Sequence, residues 1–79
     1  MNLAVAVGKR TKELLFKNKM TQYRLCKITC LNEKTLRDLI NGRTSDVNFS
    51  TIFLISSAFK MHIKEFVDSD LFNETNIEF

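Results

Sequence analysis

The sequence predicts an all-α fold, and three observations carry that prediction. The 79 residues include no proline and two glycines, which suits short helices joined by tight turns. Thr21, Asn32 and Asn48 stand just ahead of apolar stretches, where a side-chain oxygen can accept an unpaired N–H of the first helical turn. Apolar side chains then recur three and four residues apart, the spacing of one helix face. A hydrophobic fraction of 44% is ordinary for a folded chain and argues against disorder throughout. The length allows one small domain with a modest core.

Five helices follow in order. Residues 3–18 read as the first: Leu3, Val7, Thr11 and Leu14 share a stripe, Lys9, Lys12 and Glu13 lie off it, and Leu15 and Phe16 widen the apolar side. Lys17-Asn18-Lys19 is a polar connection. The second helix runs from about Thr21 to Ile28, with Leu25 and Ile28 as its packing face. After a turn in which Leu31 packs, the third runs from about Asn32 to Asn41. Leu36, Leu39 and Ile40 face inward, and Glu33, Lys34, Arg37, Asp38 and Asn41 form the opposite, polar wall. Gly42 sits where a left-handed residue usually ends a helix.

Residues 42–47, GRTSDV, form a polar loop. Asn48 caps a fourth helix from Phe49 to about Phe59, whose core face is Phe49, Ile52, Phe53, Ile55 and Phe59. Met61 and Ile63 pack around the next turn. His62 caps or begins a short fifth helix, about Ile63 to Val67, with Phe66 buried. Residues 1–67 thus form the domain, and 68–79 a tail. Leu71, Phe72, Ile77 and Phe79 make that tail too apolar for plain solvation, so it either folds back onto the first helix or forms a dimer seam.

Charge is segregated along the chain. Residues 9–43 carry ten Lys and Arg against three Asp and Glu, and residues 44–79 carry two against six. A basic half with a polar helix face and an acidic half away from it is the pattern of a nucleic-acid-binding domain. Cys26 and Cys30 lack further ligands at metal spacing, and His62 is remote from them, so no metal and no cofactor is expected. No nucleophile motif and no phosphate-cradling glycine loop is present, which speaks against an enzyme. The opening LAVAV is too short for a membrane span or a signal sequence, so a cytoplasmic location is expected.

Residues 21–41 resemble the helix-turn-helix of the lambda-repressor-like family, of Cro/CI or Xre type. The features that match are Thr21-Gln22, Leu25, small residues at Cys26 and Cys30, Asn32, Leu36, Leu39 and the closing Asn41-Gly42. The resemblance spans about Val7 to Phe66. It implies a compact five-helix domain whose third helix reads a DNA major groove. It also implies base contacts from Glu33, Lys34 and Asp38, with Arg37 flanking them. Phosphate contacts are expected from Arg10, Gln22, Asn32, Asn41, Arg43 and Thr44. The two cysteines are then small core fillers, and Lys60 stands where the family often ends the fourth helix with glycine. The expected function is a sequence-specific transcriptional regulator, a repressor, bound as a homodimer to a palindromic operator in double-stranded DNA. The alternative is a protein-interaction module or antitoxin-type component on the same fold. Glu33–Arg37 and Lys34–Asp38 can pair at i,i+4, which is how a plain solvated face looks.

Many members of the family carry arginine at the position of Leu15 and glutamate at that of Ile40, paired across the core. Both positions are apolar here, so a single charge at either has no partner. Leu15→Arg or Ile40→Glu alone is expected to destabilise by about 3–5 kcal/mol, measured by urea unfolding. Loss of less than about 1 kcal/mol would place these residues outside the core.

Overall fold

The helix starts written into the sequence organise the chain. The computed structural model describes residues 1–73 and 75–77; Phe79 of the expected apolar tail lies outside the described residues. The helices are α1 (Leu3–Lys17), α2 (Gln22–Thr29), α3 (Glu33–Ile40), α4 (Phe49–Ala58) and α5 (Ile63–Phe66), followed by one 3-10 turn at Asp70–Phe72. No strand occurs among the described residues. Asn2 Oδ1 accepts the Val5 N–H at 2.8 Å, Thr21 Oγ1 that of Arg24 at 3.1 Å, and Asn48 Oδ1 that of Thr51 at 2.9 Å. Asn32 Oδ1 accepts two, from Lys34 at 2.9 Å and Thr35 at 3.3 Å. Each cap satisfies a donor that the helix itself cannot, worth about 1 kcal/mol. At the start of α5, Glu65 Oε1 accepts the His62 N–H at 3.3 Å.

Four helix exits are left-handed. Gly42 has φ +73° after α3, the conformation glycine takes without strain. Lys19, Cys30 and Lys60 adopt φ of 53°, 59° and 58° after α1, α2 and α4, each with a side chain in place. The resemblance had singled out only Lys60 of these three.

One apolar cluster joins the helices. It holds Val7, Leu14 and Leu15 of α1, Leu25 of α2, Leu36, Leu39 and Ile40 of α3, Ile52 and Ile55 of α4, then Phe59 and Phe66. Leu15 and Ile40 are both 9% exposed within it. α1 packs on α3, α2 on α3 and α4, and α4 on α5. Buried hydroxyls donate to their own helices: Thr11 to Val7 O at 2.8 Å and Thr29 to Leu25 O at 2.7 Å.

Five expected core residues are exposed instead: Leu3, Phe16, Ile28, Phe49 and Phe53. In α2 the inner positions are Leu25 and Thr29, with Cys26 beside them, and Ile28 lies beyond the edge of that stripe. In α4 the inner positions are Ile52, Ile55 and Ser56, continued by Phe59, which turns Phe49 and Phe53 outward. Cys30 is also exposed, at the left-handed end of α2, and is no core filler; Cys26 does pack against the cluster.

The tail folds back. The Asp70–Phe72 turn packs on α1, the Phe72 ring lies 6.1 Å from that of Phe66, and Ile77 is buried. Asn76 Nδ2 donates to Asp70 O at 2.7 Å, and the Met1 ammonium donates to Asn76 O at 2.9 Å. Leu71 and Phe72 are half-buried and Ile77 is buried, so these three side chains cover part of the core.

The tightest approach is at Gly8. A Cβ built there would overlap the Leu39 carbonyl oxygen and sit 3.0 Å from its carbon. Alanine for glycine in an ordinary helix interior stabilises by about 1 kcal/mol. Here the sign reverses: Gly8→Ala is expected to cost about 3 kcal/mol by forcing α1 off α3, read from thermal unfolding.

Candidate nucleic-acid interface

α2, the turn and α3 form a rigid angle because each part is held separately. Cys30 N–H donates to Cys26 O at 2.9 Å and closes α2. The next residue turns back, its N–H (Leu31) donating to Thr29 Oγ1 at 3.3 Å. Asn32 then starts α3 with both cap bonds. Leu36, Leu39 and Ile40 anchor α3 on the core, which leaves Glu33, Lys34, Thr35 and Arg37 exposed along its outer side.

Asp38 joins two of the polar residues. Lys34 Nζ lies 2.8 Å from Asp38 Oδ2, and Arg43 Nη1 lies 3.9 Å from Oδ1. The Arg43 N–H also donates to Asp38 O at 2.8 Å, which fixes the start of the loop against the last turn of α3. The hydrogen bond from Lys34 holds the Asp38 carboxyl below the usual aspartate range; desolvation opposes it, and the charges of Lys34, Arg37 and Arg43 add to the lowering. The lowered value means the pair contributes fully above the ordinary unfolded pKa of about 3.9 and fades as pH falls through the native one. Glu33 and Arg37 form no ion pair among the described residues. The thiol of Cys26, behind the turn, is pushed up by burial and by the nearby Glu33 charge.

The expected phosphate contacts divide. Gln22 stands half-buried at the first position of α2, beside the positive end of that helix. Asn41 caps the exit of α3 and is exposed, as is Arg43, while Thr44 is half-buried. The Asn32 side-chain oxygen is committed to the α3 cap. Arg10 departs most from expectation. Its Nε donates to Phe66 O at 2.8 Å and its Nη2 to Glu65 O at 3.1 Å, and its Nη1 pairs with Glu13 at 2.6 Å. The side chain is only 12% exposed. Its guanidinium caps the carbonyl end of α5, an intramolecular role beside the expected one at the DNA backbone.

Other residues join the surface without having been singled out. Thr35 lies exposed beside Lys34; it was passed over because it flanks Leu39 rather than standing opposite the apolar stripe. Lys9 and Lys12 line a cleft of about 300 Å³ with Asn41 and Gly42, which sets two positive charges beside the exit of α3. Their i,i+3 spacing was visible, but the element they would face was not. On α2, the Lys27 ammonium lies 5.2 Å from the centre of the Tyr23 ring.

This arrangement offers an exposed polar helix for hydrogen bonding and basic groups around it for anions. No group of three His, Cys, Asp or Glu among the described residues is placed to hold a metal ion. No helix among them is long and apolar enough to cross a membrane. The family model of the Cro/C1-type HTH DNA-binding domain matches residues 11–70. No curated protein and no solved structure matches the chain.

The Arg10 geometry predicts a loss of stability. Arg10→Met keeps most of the apolar stem but strips two carbonyls of a charged donor, and is expected to cost about 2 kcal/mol. For a domain of this size that lowers the melting temperature by roughly 8–16 °C. An unchanged melting temperature would show that these bonds contribute nothing net.

Proposed function

The chain belongs to the Cro/C1-type HTH DNA-binding family, and from that premise we propose that it is a sequence-specific transcriptional regulator, a repressor, acting in the cytoplasm. The observation that carries this reading is the presentation of α3, anchored on the core along one side, with exposed Glu33, Lys34, Thr35 and Arg37 on the other. Such a helix fits the major groove, where each base pair displays its own pattern of donors and acceptors.

In this reading α3 enters by its N-terminal half. Lys34 leaves Asp38 and donates to guanine O6 or N7, while Glu33 or the released Asp38 accepts from cytosine N4. Arg37 flanks these contacts. The carboxylates are repelled by phosphate, so a wrong base costs more than a right one gains. Gln22, Asn41, Arg43 and Thr44 set the register by touching phosphates, with Lys9 and Lys12 adding charge at the exit of α3. Asn32 and Arg10 complete the proposed phosphate contacts, Asn32 at the turn it caps and Arg10 from α1. The operator is palindromic and takes two copies, their α3 helices about 34 Å apart, one turn of duplex.

The Lys34–Asp38 pair favours a second reading, an interaction module or antitoxin-type component on the same fold, because a face that satisfies its own charges needs no nucleic acid. Binding-site selection on random duplexes separates the two. Lys34→Ala should weaken binding by roughly 1–3 kcal/mol and relax preference at one position. Arg43→Ala should weaken all sequences about equally, and log K should fall with log salt by about 0.9 for each phosphate neutralised. Return of the parent motif by both Lys34→Ala and Asp38→Ala would remove α3 as the reader and favour the interaction module.

A further inference from the structure

Both cysteines of the chain belong to α2 and its exit, the part of the motif that sets the direction of α3. Cys26 is half-buried and packs against the core, Cys30 is exposed, and both are free thiols. The Cys30 N–H donates to Cys26 O at 2.9 Å, the bond of a regular α-helix between residues four apart. That spacing sets their Cα atoms roughly 6 Å apart, inside the span of about 4.4–6.8 Å that a disulfide bridges. Zinc would need further ligands, and no group of three His, Cys, Asp or Glu among the described residues is placed to supply them. What the two sulfurs can do together is thiol chemistry.

We propose that Cys26 and Cys30 are a modification site: a low-molecular-weight disulfide oxidises them to a disulfide, and closure opens the turn and withdraws α3. The effect on DNA rests on the reading above; the disulfide itself does not. The exposed Cys30 reacts first. Its thiolate attacks one sulfur of the oxidant RSSR, the S–S bond breaks, and the departing thiolate takes up the proton that Cys30 lost. The Cys26 thiolate then attacks Cys30 Sγ, forms the Cys26–Cys30 bond and expels the second thiolate, which takes the Cys26 proton. Two protein thiols are oxidised and one RSSR is reduced to two RSH. Burial and the nearby Glu33 charge push the Cys26 thiol up, so it starts no exchange of its own and acts as the resolving group. In a reducing compartment such a pair stays open, and its transient disulfide is a signal rather than a staple.

The reduced turn does not survive closure. Residues four apart on a helix hold their Cβ atoms about 5–6 Å apart, and a disulfide draws them to about 3.8 Å. Cys30 is also left-handed, with φ 59°, which aims its side chain past the end of α2. There its Sγ lies 3.9 Å from Lys27 O, the carbonyl that the Leu31 N–H would take if the helix went on. That N–H goes to Thr29 Oγ1 instead, at 3.3 Å. To reach Cys26, Cys30 leaves the left-handed region, which relieves its strain and redirects the chain into Leu31 and Asn32. Asn32 starts α3 through both of its cap bonds, so the reading helix loses its fixed entry.

The test exposes wild type, C26A and C30S to oxidised glutathione, blocks the remaining thiols with an alkylating agent and reads the intact mass. Wild type should lose two hydrogens, keep no thiol to alkylate and carry no glutathione. C26A should stop at the mixed disulfide, and C30S should react about tenfold more slowly than C26A, or less. Amide hydrogen exchange at Cys30 and Leu31 should speed up in oxidised wild type and return to its first rate with dithiothreitol. On a duplex selected by the reduced protein, oxidation should weaken wild type by about tenfold or more and leave C30S unchanged. A lasting mixed disulfide on wild type, or a disulfide that joins two chains, overturns the dithiol. A closed disulfide that leaves the exchange or the affinity unchanged overturns the switch. If reduced wild type binds no duplex, the DNA-binding reading fails, and mass and exchange alone decide whether the disulfide forms and opens the turn.

Discussion

The contact of Gly8 with the Leu39 carbonyl sets the geometry of everything else. α1 and α3 are far apart in sequence, and their backbones touch because one side chain is missing. That touch fixes where α3 ends, and so where Gly42 turns the chain and where the loop toward α4 begins. It also places Lys9 and Lys12 beside Asn41 rather than in open solvent. A wider crossing would leave Leu36, Leu39 and Ile40 with less apolar surface to cover them and let the α3 axis rotate. Groove-fitting helices tolerate little rotation, because every side chain on the outer side shifts together.

Asp38 gives the same helix a second constraint of a different kind. Its carboxylate gathers Lys34 and Arg43 into one cluster, so two cations proposed to meet DNA are occupied in its absence. These pairs lie at the surface and are worth little to stability. Their effect on recognition is larger in principle. Contact with a duplex exchanges one set of partners for another, and the gain from each cation is the difference between the two sets. The site discriminates through that exchange rather than through attraction alone.

Helix order and the helix starts were legible because they depend on single residues with local consequences. Thr21, Asn32 and Asn48 each accept N–H groups within three positions, and no distant contact is required. The left-handed exit at Lys60 was legible through the family pattern. Those at Lys19 and Cys30 were not, since neither side chain advertises that backbone. Helix faces were harder. On α3 the charges mark the outside and the apolar stripe was read correctly. α4, FSTIFLISSA, offers no such mark, and with apolar residues all around, periodicity does not choose between Phe53 and Ser56. Arg10 shows the other limit: one basic residue reads the same whether it meets a phosphate or the carbonyls of Glu65 and Phe66, and only the docking of α5 decides. Base and phosphate roles rest on the family pattern, because groove contacts leave no local signature in the chain.

The left-handed residues at three helix exits bear on how this protein can change over generations. Lys19, Cys30 and Lys60 hold side chains where glycine would be relaxed, at about 1 kcal/mol each. A small domain has on the order of 5–10 kcal/mol of net stability, so this strain is a sizeable fraction of it. All three positions lie off the outer side of α3. A lineage can therefore recover stability at its helix exits and tolerate costly substitutions on the reading helix, changing what it recognises without losing its fold.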